Sequence, residues 1–392
     1  MKVLFSSDWH LGYELGGANR VDRFEDQLRQ LRKIADYLEV HNVGVLAIAG
    51  DIFEAQDRGR ARLVVRGLLD ALSTPLARGL QIVGIAGNHD RDYFIDTANL
   101  WLGVHRPSDG SRIVLRTRPE LVPITAGSET LNFVLLPFPT PTRYDLDSTA
   151  VDGAGQRNEQ LAKRFIEEME RLRKQAEADR HPTILLAHVT VQGTEVGPHR
   201  ITPREDVVIP QGAFPSFEMT VVGHIHKADK RGSEHFYYVG GLDRMDIGER
   251  LYQPRVLMAD IGRDGVLSVE SLPLDPTPFV EVVASSEDEL RARHAQLPRP
   301  EETLVRLRLQ AQFGTYTAPL IDLARQLFPR LYSNVEHEWT GAPEVRPPVE
   351  GIDPADVQGT IRRYLAQQGL DKEEHDLLIA LLSELSDTGA GA

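Results

Sequence analysis

This chain of 392 residues is marked first by what it lacks. It has no cysteine, which excludes disulfide bonds, thiolate nucleophiles and zinc sites built on cysteine. No apolar run approaches the ~20 residues that a transmembrane helix requires, and the segment before the first acidic residue, Asp8, is too short for a signal peptide. We therefore expect a cytoplasmic protein. Its length and its 41% of hydrophobic residues predict two or three domains with a large core.

Positive charge is also scarce. The formal net charge of −14 argues, for the chain as a whole, against sequence-independent binding of nucleic acid. Residues 1–120 nevertheless carry equal numbers of basic and acidic side chains, so the whole excess lies after residue 120. Metal bound to some of the early acids would leave their neighbourhood positive. The basic residues there are Arg20, Arg23, Arg58, Arg60, Arg62, Arg66 and Arg91. A solvated face explains any single one of them equally well.

Reactive side chains recur where strand-like apolar runs end. Five runs, at 2–7, 43–49, 82–86, 183–187 and 219–222, are followed in turn by Asp8-Trp9-His10, Gly50-Asp51, Gly87-Asn88-His89-Asp90, His188 and Gly223-His224-Ile225-His226. Open α/β sheets bind ligands at the carboxyl ends of their strands, so the five segments together predict one site. Taken alone, a dipeptide such as Gly87-Asn88 is equally typical of an ordinary turn.

Strand-like and helical patterns alternate through the first part of the chain. Apolar residues at helical spacing predict helices over 24–38, 62–72, 94–104 and 159–178. Strand, helix, strand in this order predicts parallel strands joined by right-handed crossovers. The later runs at 236–239, 255–261 and 266–272 are predicted to form a second sheet that packs on the first. The apolar helix over 94–104 is compatible with a core helix and with a subunit interface.

The composition changes after a proline-rich stretch at 273–279. Residues 279–342 alternate between strand and helix patterns, which predicts a small α+β domain, and the proline-rich residues 343–353 predict a semi-rigid linker. Two helices are predicted within 354–387. The second has an apolar face too wide to be left in water, so we expect a partner protein to cover it; docking back onto the body of the chain is the alternative.

The strand ends supply carboxylates, imidazoles and one amide, which are Asp8, His10, Asp51, Asn88, His188, His224 and His226. This donor set suits a pair of divalent first-row ions. We assign Asp8, His10 and His226 to one ion and Asn88, His188 and His224 to the other. Two neighbouring ions need a shared carboxylate, and Asp51 is the bridging candidate. In an extended segment residues i and i+2 point to the same side, so Asp8 and His10 are expected to reach one ion while Trp9 faces the core.

His89 is the histidine of these segments that is left without a metal. Two cations would neutralise the oxygens of a phosphodiester and generate hydroxide near neutral pH. As an imidazolium, His89 would then stabilise or protonate the departing sugar oxygen. The alternative is that His89 only orients a neighbouring side chain.

The same segments resemble the five signature segments of the calcineurin-like metallophosphoesterases. Their order, with the small domain and helical tail that follow, resembles the SbcD-type double-strand-break nucleases over nearly the whole chain. The resemblance implies a two-sheet αββα sandwich of the α/β class over 1–275, a capping domain that contacts DNA at 279–342, and a C-terminal helical tail. In these nucleases the counterpart of His89 acts on the leaving group.

The resemblance also implies an activity and partners. It implies a manganese-dependent DNA exonuclease, 3′–5′ in direction and with endonuclease activity, that processes ends, hairpins and single strands in the nucleoid. Its implied partners are an SMC-like ATPase of the SbcC type, gripped by residues 354–387, and a second copy of the chain, bound through helices near 61–72 and 94–104. Glu54 stands where some relatives carry a further histidine or acid, and its role stays open. The competing hypotheses are a small-molecule phosphodiesterase or phosphatase and a non-catalytic scaffold.

Overall fold

A computed structural model describes residues 1–16, 20–54, 58–104, 113–147, 153–196, 199–202, 204–332 and 335–341. The predicted linker and the predicted tail helices lie outside the described residues. Within the described ranges, no helix combines the length and apolar composition needed to cross a lipid bilayer.

The first of two large sheets contains the N-terminal strand. Its six strands, in spatial order, are Gly265–Pro273, Arg255–Gly262, Lys2–Ser6, Val45–Ile48, Gln81–Ile85 and Ile113–Arg116. The last four run parallel to one another, as the strand, helix, strand order predicted. All residues of Val45–Ile48 and Gln81–Ile85 are buried, because both faces of a central parallel strand are covered.

The second sheet also has six strands. In spatial order they are Asp229–Lys230, Phe236–Tyr238, Met219–Gly223, Thr183–His188, Glu129–Leu136 and Glu120–Ala126. The four inner strands are parallel, and the two outer strands are antiparallel to their neighbours.

One prediction about sheet membership is wrong. Of the three late runs expected in a second sheet, only Phe236–Tyr238 belongs there. Arg255–Gly262 and Gly265–Pro273 extend the first sheet instead, because Arg255–Gly262 pairs antiparallel with Lys2–Ser6. Alternation of apolar residues identifies a strand but carries no information about a partner 250 residues away in the chain.

Helices cover the outer face of each sheet. Those on the first sheet are Phe24–Val40, Arg58–Ala71, Ser73–Ala77 and Asp92–Val104, and the one on the second is Ala154–Ala176. Phe24–Val40 buries Leu28, Leu31 and Leu38 at helical spacing against the first sheet. His41 is the C-cap of this helix, and Asn42 follows in the left-handed region with φ 51°.

Three apolar clusters fill the sandwich. One lies between the first sheet and its helices, one lies between the second sheet and its helix, and the third fills the space between the sheets. It joins Phe5 and Val83 of the first sheet to Phe133, Leu186 and Val221 of the second, all fully buried. Layers of helix, sheet, sheet and helix follow from these three clusters, so the predicted αββα sandwich is confirmed.

Short elements complete the sandwich. They are the strand pairs Glu14–Leu15 with Val21–Asp22, Thr190–Val191 with Val208–Ile209, and Glu195–Val196 with His199–Arg200, and the 3₁₀ turns Gln211–Ala213 and Ile247–Glu249.

The small α+β region has its own sheet and core. Its elements are Phe279–Ala284, Glu287–Ala295, Leu304–Gln312, Ala318–Leu327 and Glu336–Thr340, with Leu304–Gln312 as the central strand. Residues 1–311 and 316–338 form one compact unit. The domain boundary that the sequence predicts near 275–279 stays a prediction. The second unit consists of 312–315 and 339–392; within its described part, the rings of Phe313 and Trp339 meet edge to face at 6.1 Å.

Candidate metal centre

The seven candidate ligands come from both large sheets. Asp8, His10, Asp51 and Asn88 follow the ends of three parallel strands of the first sheet. His188 ends Thr183–His188 of the second sheet, and His224 and His226 follow Met219–Gly223. The parallel strands of both sheets therefore end at one place, which brings together the five segments from which one site was predicted.

One group of candidate ligands consists of Asp8, His10 and His226. Nε2 of His10 lies 3.2 Å from Nε2 of His226, and Nε2 of His226 lies 3.9 Å from Oδ1 of Asp8. Asp8 is fully buried, and its carboxylate also accepts a hydrogen bond from the backbone N–H of His224.

The other group consists of Asp51, His188 and His224, with Asn88 beside it. Oδ1 of Asn88 lies 3.1 Å from Nε2 of His188 and 2.9 Å from Nδ1 of His224. Oδ2 of Asp51 lies 3.3 Å from Nε2 of His188 and 3.6 Å from Nε2 of His10, so this carboxylate stands between the two groups. The structure thus brings the seven residues together in two neighbouring groups, and their assignment to two ions stays a prediction.

The outward nitrogen of each imidazole faces a hydrogen-bond acceptor. The four pairs are His10 Nδ1 with Glu54 at 3.0 Å, His188 Nδ1 with the carbonyl of Ala49 at 2.6 Å, His224 Nε2 with Asp206 at 2.7 Å, and His226 Nδ1 with Glu249 at 2.7 Å. An acceptor on one nitrogen keeps the proton there and leaves the lone pair of the other nitrogen facing inward. Nε2 of His10 and Nε2 of His226, only 3.2 Å apart, can share a cation, so the residues present fit divalent ions with nitrogen and oxygen ligands.

The charges of the centre favour cations. Burial opposes protonation of His188, but the charge of Asp51 outweighs it and raises the pKa of His188 to about 9. Burial likewise opposes protonation of His226, while its hydrogen bond to Glu249 raises its pKa to about 9. Burial would raise the pKa of Asp51, yet the charge of His188 holds it far below its usual value. Buried carboxylates thus create the negative field that attracts cations.

The backbone of the ligand segments is strained. Asp8, His10, Asp51 and His224 have φ of 50°, 44°, 49° and 89°, conformations that cost roughly 1–3 kcal/mol each and cluster at functional sites. The prediction that Asp8 and His10 lie in an extended segment is therefore wrong, although both side chains reach one group. Trp9 is buried as predicted. His224 and His226, two residues apart in the chain, contribute to different groups.

Two glycines permit the close packing of the centre. A Cβ on Gly87 would lie 2.0 Å from Oδ1 of Asp51, and a Cβ on Gly223 would lie 2.0 Å from the carbonyl oxygen of Ala49. The second contact crosses from one sheet to the other, so Gly223 allows the two strand ends to approach.

Two side chains that the sequence reasoning did not assign hold the loop carrying Asn88 and His89. The buried carboxylate of Asp90 accepts hydrogen bonds from the backbone N–H groups of Ile52, Phe53 and Gly87. Burial, with the charge of Asp51, raises the pKa of Asp90 to about 6. The buried guanidinium of Arg143 donates to the carbonyl oxygens of Gly87 and Asp90. Asp90 was visible within its motif; Arg143 lies more than 50 residues away and gave no local signal.

His89 lies at the mouth of the centre. Its side chain is 44% exposed, and its Nδ1 lies 2.8 Å from Oε2 of Glu54, which also contacts His10. These three side chains form a further group of potential ligands. The hydrogen bond to Glu54 raises the pKa of His89. Burial would raise the pKa of Glu54, but its bonds to His10 and His89 lower it to about 2.

The predicted arginine neighbourhood requires one correction. Arg23 is 1% exposed and forms ion pairs with Asp26 at 2.6 Å and Asp243 at 3.1 Å, so it is not a surface cation. Arg20 and Arg60 line a cleft of about 290 Å³ that reaches Glu54. Arg62 and Arg91 are exposed, Arg66 lies 3.7 Å from Asp70, and the side chain of Arg58 lies outside the described residues.

Comparison with known proteins adds independent information. Residues 1–228 match the profile of the calcineurin-like phosphoesterase family. The chain is similar to the SbcD subunit of the nuclease SbcCD of Staphylococcus saprophyticus subsp. saprophyticus, with 22% identity over 76% of each chain. It is equally similar to the corresponding protein of Staphylococcus epidermidis, with 22% identity over 74% of each chain. Among solved structures it is similar to a putative 5′-nucleotidase from Staphylococcus aureus, with 14% identity, a TM-score of 0.38, and coverage of 75% of this chain and 58% of that chain.

Proposed function

This chain belongs to the calcineurin-like phosphoesterase family, and we propose that it is a manganese-dependent DNA nuclease, the nuclease subunit of a complex of the SbcC–SbcD type. One observation carries the proposal. Oδ2 of Asp51 stands 3.3 Å from Nε2 of His188 and 3.6 Å from Nε2 of His10, between two groups of candidate ligands. A carboxylate between two cations is the arrangement that phosphodiester hydrolysis by two ions requires.

Each ion would have its own ligands. Asp8, His10 and His226 would hold one ion, Asn88, His188 and His224 the other, and Asp51 would serve both. Two bound divalent ions would neutralise the non-bridging oxygens of a phosphodiester and provide hydroxide near neutral pH. Imidazole, carboxylate and amide donors without thiolate suit divalent first-row ions, and manganese is the ion that we propose among them.

His89 would act on the leaving group. Its imidazole is half exposed and is hydrogen-bonded through Nδ1 to Glu54, which leaves Nε2 available for the substrate. Its backbone N–H donates to Oδ1 of Asp51 at 2.8 Å, which fixes its distance from the bridging carboxylate. A protonated His89 donates to the departing sugar oxygen as the bond to phosphorus breaks.

DNA is the proposed substrate, with ends, hairpins and single strands as the preferred forms and 3′–5′ as the exonuclease direction. Relatives named as part of the nuclease SbcCD support this class of substrate. The cleft beside Glu54 presents the exposed Arg20, while Arg60 in its wall pairs with Asp22; arginine is the type of side chain that binds phosphate backbones. With DNA as its substrate, the protein would act at the chromosome.

Two protein partners belong to the proposal. The apolar face predicted within 354–387 would bind an ATPase of the SbcC type. A second copy would bind through Arg58–Ala71 and Asp92–Val104, helices that expose Leu63, Tyr93 and Leu100. Exposed apolar side chains of this size are typical of interaction surfaces when they cluster.

Cleavage assays test the proposal. The purified chain, freed of metal and then given MnCl₂, is incubated with end-labelled linear duplex DNA and separately with bis-p-nitrophenyl phosphate. We expect manganese-dependent DNA cleavage that Asp51→Asn abolishes and that the exposed control Asp70→Asn leaves unchanged. Hydrolysis of the small ester without DNA cleavage would indicate a small-molecule phosphodiesterase instead. No hydrolysis of either compound would indicate a scaffold.

A further inference from the structure

Two carboxylates outside the centre each contact a single candidate metal ligand. We propose that Glu249 and Asp206 are positioning residues, each dedicated to one of the two ions. Glu249 serves the ion held by Asp8, His10 and His226, and Asp206 serves the ion on the side of His188 and His224. This inference rests on the dinuclear centre proposed above.

Glu249 fixes the ring of His226. Its Oε1 accepts a hydrogen bond from Nδ1–H of His226 at 2.7 Å, and its Oε2 accepts one from the backbone N–H of Met245 at 2.8 Å. Both carboxylate oxygens are therefore engaged, and the side chain is only 14% exposed. With Nδ1 held, His226 presents Nε2 toward Nε2 of His10.

Asp206 fixes the ring of His224. Its Oδ2 accepts from Nε2 of His224 at 2.7 Å and from the hydroxyl of Thr190 at 2.6 Å. Its Oδ1 accepts from the backbone N–H of Val207 at 2.7 Å. The short strands Thr190–Val191 and Val208–Ile209, which pair with each other, hold both sides of this contact.

His224 differs from the other three histidines in the nitrogen that faces the centre. His10, His188 and His226 present Nε2 inward, whereas His224 presents Nδ1 toward Asn88. Asp206 accounts for the difference, because it accepts the hydrogen bond of Nε2–H and so leaves Nδ1 as the nitrogen that faces the centre. A free imidazole favours neither arrangement strongly, so the orientation of His224 depends on this carboxylate.

The acceptors of the other two rings do not have this dedicated role. The carbonyl of Ala49, which holds His188, belongs to the backbone, and Glu54 is shared between His10 and His89. The hydrogen bonds described for Glu249 and Asp206 lead to different groups and have no member in common. Loss of either carboxylate is therefore expected to weaken the binding of one ion and to leave the binding of the other unchanged.

Manganese titration of the full chain tests this selectivity. Wild type, Glu249→Gln and Asp206→Asn are titrated by calorimetry and followed by electron paramagnetic resonance. Each variant is expected to keep one manganese at wild-type affinity and to bind the second about 10–100-fold more weakly. At intermediate manganese the spin-coupled signal of the pair gives way to that of a single ion. The two variants control for each other, since each removes one charge near the centre.

Double variants identify which ion is lost. His226→Ala removes a candidate ligand of the first ion. Adding Glu249→Gln to it should therefore change manganese affinity little further. Adding Asp206→Asn should weaken binding of the second ion as well. If a single variant proves unstable in a melting experiment, Thr190→Val removes a hydrogen bond to Asp206 and is expected to weaken the same ion less severely.

The outcomes separate the inference from the function on which it rests. The positioning roles would be overturned if either variant bound both ions more weakly to the same extent. They would also be overturned if either variant bound both ions with wild-type affinity. Binding of fewer than two ions by wild type would overturn the dinuclear centre itself, together with the inference. Selective loss of different ions in the two variants would support the assignment.

Discussion

Oε2 of Glu54 lies 2.8 Å from Nδ1 of His89 and 3.0 Å from Nδ1 of His10. One carboxylate thus links a candidate metal ligand to the histidine proposed to act on the leaving group. The two histidines are separable by mutation, because His10 belongs to a group assigned to an ion and His89 does not.

His89→Ala should retain manganese binding and lose cleavage. The imidazole lies outside the two groups assigned to ions, and loss of a general acid lowers rates by about 10²–10⁴-fold. Manganese stoichiometry and single-turnover DNA cleavage measure the two effects, with the exposed His181→Ala as control. Parallel loss of metal and cleavage would contradict the role given to His89.

Glu54→Gln should reduce cleavage about 10–100-fold, because a neutral amide orients His89 and His10 less firmly than a carboxylate does. In the double variant with His89→Ala, cleavage should fall little below that of His89→Ala alone if Glu54 acts mainly through His89. Glu170→Gln, exposed on the helix Ala154–Ala176 away from this cleft, is the control. Wild-type cleavage by Glu54→Gln would exclude the coupling.

Gly87→Ala should abolish binding of the ion pair. The added methyl group would lie 2.0 Å from Oδ1 and 2.4 Å from the backbone nitrogen of Asp51, so the bridging carboxylate must move. Manganese titration and thermal unfolding measure the result. Gly212→Ala is the matched control, since a Cβ there meets no atom within 4 Å. Unchanged manganese affinity in Gly87→Ala would count against Asp51 as the shared ligand.

Asp26→Asn should destabilise the fold at neutral pH. Burial would raise the pKa of Asp26, but its hydrogen bond to Arg330 and the charge of Arg23 lower it. A depressed folded pKa gives stability that is present above the unfolded value of ~3.9 and is lost as pH falls through the folded pKa. The loss should be roughly 3–5 kcal/mol, because buried arginines lose their partner.

Urea unfolding at neutral and acidic pH measures this effect. The difference in unfolding free energy between wild type and Asp26→Asn should shrink as the pH is lowered. Asp36→Asn, on the exposed face of the same helix, should change little. A difference that does not depend on pH would show that packing and not charge explains the loss.

Deletion of residues 350–392 should leave manganese-dependent DNA cleavage intact and abolish binding of an ATPase of the SbcC type. The candidate centre lies wholly within residues 8–249, and the predicted partner helices lie beyond it. Gel filtration of mixed proteins measures binding. In the full chain, Leu378→Asp with Leu381→Asp should reproduce the loss. Retained binding in either case would refute the assignment of the tail.

The sequence allowed the fold and the candidate ligands to be predicted because both depend on local patterns. Buried strands appear as continuous apolar runs, and the groups at their carboxyl ends, such as Asp51 and His188, follow directly in the chain. Sheet membership of Arg255–Gly262 was predicted wrongly because pairing with Lys2–Ser6 joins the two ends of the sandwich. Distant pairing leaves no local pattern.

The supporting side chains were missed for the same reason. Asp206 and Arg143 stand in irregular segments and Glu249 ends the 3₁₀ turn Ile247–Glu249, with no spacing that relates any of them to the residues they contact. Arg23 was interpreted as a surface cation because its burial depends on Asp243, 220 residues further along the chain. Such contacts become visible only once the topology is known.

The position of Lys2–Ser6 between Val45–Ile48 and Arg255–Gly262 has a consequence for biosynthesis. Lys2–Ser6 pairs with the nearby strand Val45–Ile48 on one edge, but its other edge stays unpaired until Arg255–Gly262 has been synthesised. Since the proposed ion ligands extend to His226, a polypeptide that ends before this residue would lack a ligand of the proposed centre as well as the strand Arg255–Gly262.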